Sequence, residues 1–90
     1  MNFHPKEAPF IVHVQLFAHA RELAGSGLIA VELFPGASVG QLRSALAARV
    51  PTLRSVLSSA KIAINHDFAA DTCVIRPTDE LAVIPPVSGG

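Results

Sequence analysis

From Ile11 the chain alternates. "IVHVQLF" sets Val12, Val14 and Leu16 on one face and His13, Gln15 and Phe17 on the other. A period of two is the mark of a half-buried strand. A connection containing "GSG" leads into "LIAVELF", a second β-rich run closed by "PG", and the two runs predict a hairpin. In "SVGQLRSALAARV" the period lengthens to that of a helix. Ser38 is a natural N-cap, and Gln41 three residues on completes a capping box. Val39, Leu42, Leu46 and Val50 then form a single apolar stripe, and Pro51 ends it.

Beyond Pro51 the elements shorten. "TLRSVLSS" reads as a further turn of helix, and "KIAIN" as a third strand with Ile62 and Ile64 inward. "HDF" reads as a turn, "AADTCVI" as a short weak strand and "RPTDE" as another turn. "LAVIP" is the last strand, with Leu81 and Val83 inward. The order β-β-α-β-β-β predicts an α+β fold with a mixed sheet of about five strands. One main helix covers one face, because a single helix cannot bury both. A right-handed crossover from the second strand to the third would lay it there. That arrangement is the β-grasp, or ubiquitin-like, fold. The domain is expected over residues 11–86, with residues 1–10 as an N-terminal extension and residues 87–90 as a flexible tail.

Composition narrows the function. Ninety residues hold one core, and an apolar share of 50% against 16% charged is that of a folded chain. Seven basic residues balance seven acidic ones, so no nucleic-acid footprint is expected. No apolar run is long enough to span a bilayer, and "MNFHPKEAPF" contains no signal-like apolar core. A lone cysteine, Cys73, suits a reducing compartment, and cytoplasm is the expected location. Within "DTCVI" that thiol reads as half-buried and structural rather than nucleophilic. His4, His13, His19 and His66 show no ligand spacing with Cys73 or the carboxylates, so neither a metal nor a bound cofactor is expected. "GSG" lacks the lysine and helix of a phosphate loop. Asp79 and Glu80 are adjacent, which suits a turn better than an acid/base pair. No internal active site is visible.

The remaining candidate is "PPVSGG", residues 85–90. A Gly-Gly end passes through a channel that any side chain would block. Pro85 and Pro86 restrict the backbone before it, so the segment should leave the sheet extended. A carboxylate is a poor electrophile, but once adenylated its acyl group can be captured by sulfur. The alternative is a frayed, inert end.

Two stretches carry a resemblance. "FAHARELAG" matches an F-A-x-x-R-E-x-x-G pattern at Phe17, Ala18, Arg21, Glu22 and Gly25, and "DELAVIPPVSGG" matches a D-E-x-A-x-x-P-P-V-S/T-G-G ending. Both resemble the small subunits of molybdopterin synthase, the MoaD-like sulfur carriers, and Ile64-Asn65 fits the Val-Asn of that family. Pro77-Thr78 stands where the family often has a glycine before Asp-Glu. The resemblance implies that Gly90 is adenylated by an ATP-using enzyme related to the ubiquitin-activating enzymes and converted to a thiocarboxylate by a sulfur donor. It further implies that Gly90 donates sulfur to cyclic pyranopterin monophosphate, as the sulfur-donating part of a sulfurtransferase with no active site of its own. The large subunit would receive Pro86, Val87, Ser88 and Gly89 in a channel, with two small and two large subunits in the complex. Gly89 would give clearance, and Val87 and Ser88 would be gripped.

The strand pattern supplies a surface for such a partner. Phe17, Ala82 and Ile84 fall on the face away from the helix, Phe68 can join them, and Arg21 can add a charged contact at the rim. Phe17 packed under the N-terminal extension, and Arg21–Glu22 as an ordinary solvated pair, are the plainer readings. Three other functions share the tail. It can serve thiamine, cysteine or tRNA thiolation, although those carriers generally lack the "FAHARELAG" pattern. It can conjugate to lysines as a protein modifier. It can also be inert on a β-grasp interaction module.

Overall fold

The computed structural model describes residues 8–86. Five strands and three α-helices follow in the order β1 (Phe10–Leu16), α1 (Ala18–Ala24), β2 (Leu28–Leu33), α2 (Val39–Arg49), α3 (Arg54–Leu57), β3 (Lys61–Ile64), β4 (Asp67–Ala69) and β5 (Leu81–Ile84). A 3-10 turn over Pro51–Leu53 joins α2 to α3. The strands form one sheet in the order β2-β1-β5-β3-β4. β1 pairs antiparallel with β2 and parallel with β5, while β3 pairs antiparallel with both β5 and β4.

The alternation works as expected. Val12, Val14 and Leu16 of β1, Val31 and Leu33 of β2, Ile62 of β3, and Leu81 and Val83 of β5 are all buried. They pack against Val39, Leu42 and Leu46 of α2 and Leu53, Val56 and Leu57 beyond it. Val50 and Ile64 are half-buried against the same core. The capping box of α2 is complete: Ser38 Oγ accepts from Gln41 N–H at 3.2 Å, and Gln41 Oε1 accepts from Ser38 N–H at 2.8 Å. The turn of helix expected after Pro51 is the 3-10 turn followed by α3.

Three readings need correction. The β1–β2 connection is not a plain hairpin loop, because it holds α1, which starts without a side-chain cap and ends at Gly25 in the left-handed region (φ 72°). "HDF" is not the turn. Asn65 and His66 both take positive φ, 52° and 75°, and form a two-residue turn that starts β4 at Asp67. Of "AADTCVI" only Ala69 lies in a strand, as the end of β4; the rest forms an isolated bridge between Ser38 and Val74, with Ile75 buried in the core. Cys73 is accordingly exposed rather than half-buried. The carbonyls of this segment instead serve the start of α2: Val39 N–H donates to Cys73 O at 2.9 Å and Gly40 N–H to Asp71 O at 3.0 Å. These are donors that a helix start leaves unpaired.

Arg43 holds the same region from the other side. Its guanidinium donates to Asp71 Oδ1 at 3.0 Å, to Ala60 O at 2.7 Å and to Leu57 O. It thereby ties α2 to the carbonyls at the end of α3 and to the loop after β4.

Candidate functional site: the uncovered sheet face and the root of the tail

Among the described residues only one face of the sheet carries helices. On the other, Gln15, Ala82, Ala63 and Phe68 lie in register across β1, β5, β3 and β4. One pleat further on, Ile84 stands opposite Lys61. Phe17 continues the alternation of β1, because its N–H donates to Val83 O at 3.3 Å and its backbone is still extended. Phe68 is 63% exposed and Phe17 46%, while Ala82 and Ile84 are half-buried. Large apolar side chains left open together mark a binding surface. The structure thus places Phe17, Ala82 and Ile84 on one face, as the strand periods predicted, and Phe68 joins them from β4, a strand that was read as a turn.

Pattern reading did not anticipate the groove between them. Gln15, Phe17, His66, Glu80, Ala82 and Ile84 line it above Ala63. His66 Nε2 and Glu80 Oε1 stand 3.0 Å apart at its rim. Lys61 Nζ lies 5.5 Å from the centre of the Phe68 ring, within cation–π range. The floor needs small residues at Ala63 and Ala82. The signal was present in "KIAIN" and "LAVIP", where alanine occupies the outward position of each strand.

Arg21 projects from α1 and is exposed. A Cβ added at Gly27 would lie 3.4 Å from its Nε and Cζ, so its guanidinium stem rests on the backbone just before β2. The plainer alternative, a solvated pair with Glu22, does not form; Glu22 Oε1 is 3.3 Å from His19 Nδ1 instead. Ala18, between Phe17 and the rest of α1, has φ 51°. This left-handed residue turns the chain sharply out of β1, so the Phe17 ring stays with the sheet while Arg21 leaves on the helix.

The tail has a firm root. β5 is hydrogen-bonded on both sides, to β1 and to β3. Asn65 braces its start: its Nδ2 donates to Asp79 Oδ1 at 3.0 Å, and its Oδ1 accepts from Glu80 N–H at 2.8 Å. Asp79 Oδ2 also accepts from Arg76 N–H at 2.8 Å, so Asp79 does hold a turn. At the other end Pro85 and Pro86 line a groove together with His19 of α1 and Ser55, Val56 and Ser59 at α3. Val87, Ser88, Gly89 and Gly90 lie outside the described residues. Among those residues no helix is long and apolar enough to cross a membrane.

A mixed five-stranded sheet gripping one principal helix, with an open apolar face beside the root of its last strand, defines a ubiquitin-like β-grasp domain. The chain belongs to the ThiS family, whose model matches residues 14–90. It is 35% identical over 79 residues to the molybdopterin synthase sulfur carrier subunit of Arabidopsis thaliana, covering 88% of this chain and 82% of that one. The Chlamydomonas reinhardtii protein of the same name is 36% identical over 81 residues, covering 88% and 98%. Among solved structures, SAMP1 from Haloferax volcanii, a small archaeal modifier protein, superposes with a TM-score of 0.80 at 34% identity. That match covers 89% of this chain and 99% of SAMP1.

Proposed function

We propose that this chain is the sulfur-carrying small subunit of a molybdopterin synthase and works in the cytoplasm. The observation that carries the reading is similarity to sulfur carrier subunits along 88% of the chain, on a fold that holds the tail root and an open apolar face together. An adenylating enzyme related to the ubiquitin-activating enzymes joins the Gly90 carboxylate to AMP, releasing pyrophosphate from ATP. A sulfide-level donor displaces AMP and leaves a thiocarboxylate. The large subunit docks on Phe17, Phe68, Ala82 and Ile84, with Arg21 at the rim. It takes Pro86 to Gly90 into its channel, and sulfur passes to the cyclic pyranopterin monophosphate. Two chains of each kind make the complex. The chain supplies reach, register and the sulfur atom, and no bound cofactor of its own.

Co-expression with a matching adenylating enzyme and a sulfur source tests this. The isolated C-terminal peptide should exchange one oxygen for sulfur at Gly90, and deletion of Gly90 should abolish sulfur transfer while leaving the melting temperature unchanged. An unmodified Gly90 beside a demonstrably active enzyme would sink the mechanism.

The likeness to SAMP1 favours one second reading, in which the adenylated carboxylate is passed to lysine amines of other proteins. Isopeptide adducts of Gly90 in lysate, absent after Gly90 deletion, would support it.

A further inference from the structure

β2 and β4 are the two edges of the sheet. β4 is three residues long, which blunts it. β2 spans six, "LIAVEL", with no proline, lysine or bulge. Its ladder fixes which main-chain groups face outward. Leu16 N–H donates to Gly27 O at 2.9 Å, and bonded and non-bonded pairs alternate along an antiparallel ladder. Ile29, Val31 and Leu33 therefore turn their N–H and C=O groups to β1. Leu28, Ala30 and Glu32 turn theirs to the open edge.

One end of that edge is sealed. Ser26 Oγ donates to Leu28 O at 2.9 Å and accepts from Leu28 N–H at 3.2 Å. Among the described residues Ala30 and Glu32 have no such cover, and both are exposed. Beside them runs a groove walled by Ala45, Ala48 and Arg49 of α2, with Ile11 on its outer side. The two alanines leave room for larger side chains laid against the helix. Arg49 is exposed and forms no ion pair among the described residues, and neither does Glu32. A carboxylate is thus attracted on the helix side of the edge and repelled on the sheet side.

We propose that Ala30–Glu32 is a strand-addition site that takes an extended peptide from another protein, with apolar side chains on Ala45 and Ala48 and an acidic one at Arg49. Main-chain bonds would supply affinity and the groove specificity. The site lies two strands from β5, across β1 from the root of the tail. It does not depend on the sulfur-carrier reading.

A blocked eight-residue peptide of alternating valine and threonine, closed by two aspartates, serves as the probe on the isotope-labelled full chain. Titration should shift the amides of Ala30 and Glu32 and slow their hydrogen exchange, leaving exchange at Ile29 and Val31 unchanged. Ala30→Pro removes only an outward N–H, tolerable on an edge, and should weaken binding at least about tenfold. Arg49→Glu, which leaves the backbone intact, should weaken it about threefold or more, with the difference shrinking as salt rises. N-methylation of alternate probe residues should abolish it. Three results would overturn the proposal: no shift at millimolar probe, shifts confined to the Phe17–Phe68 face, or binding unchanged by both substitutions. Protection of Ala30 and Glu32 without probe, growing with protein concentration, would make a second copy the occupant and equally overturn it.

Discussion

The two faces of the sheet are built from the same strands and do opposite things. Val14, Ile62 and Val83 look inward and are fully buried, whereas their near neighbours Phe17, Phe68 and Ile84 look outward, beneath no helix of the described residues. The inner face meets α2 and has no freedom left. The outer face keeps large apolar groups in water, an arrangement that folding alone does not favour. Strand alternation thus lets short strands serve stability on one side and leave the other open for the docking proposed above, and substitutions should separate along that line.

The largest effect belongs to the inner face. Leu46→Ala, at a fully buried position of α2, should destabilise the fold by about 2–5 kcal/mol in denaturant unfolding. A smaller loss would mean that α2 packs loosely. Next comes Phe17→Ala, which should weaken binding of the large subunit by about 2 kcal/mol, read by calorimetry. Its unfolding midpoint should stay within about 0.5 kcal/mol of the parent. A stability loss as large as that of Leu46→Ala would erase the distinction between the faces. Ser38→Ala removes one half of the capping box and should cost about 1 kcal/mol of stability with binding unchanged. The smallest change is Ala18→Gly. Relief of the left-handed backbone is partly offset by the entropy of glycine, for a gain below about 1 kcal/mol. Weaker partner binding in that variant would show that Ala18 fixes the Phe17 ring.

Much of this was legible in the chain because burial follows period. The inward residues of β1, β3 and β5, the capping box and the stripe of α2 each state one geometry without competition. What escaped was local structure held by partners distant in sequence. α1 has no side-chain cap and buries only Ala20 fully, so its helical signal was weak, although Gly25 marked its end. The β3–β4 turn has His66 where a two-residue turn of this kind usually has glycine, and the reading therefore slipped along the chain. The segment around Cys73 is fixed by main-chain bonds to the start of α2 and by Arg43, and no window of sequence contains both sides. In the site, Phe17 was visible from parity alone, whereas the orientation of Phe68 depended on β4, which the misplaced turn concealed. The Asn65 brace needed Asp79 brought beside it, and the groove over Ala63 needed both Ala82 and the far more distant Gln15 and Phe17 of β1.

The central place of β5 carries a consequence for synthesis. Before Leu81–Ile84 exists, β1–β2 and β3–β4 are two separate ribbons with no strand between them, and two-stranded ribbons are marginal alone. The sheet cannot close piece by piece behind the ribosome. It waits for β5, and the nascent chain must be kept from aggregating until then.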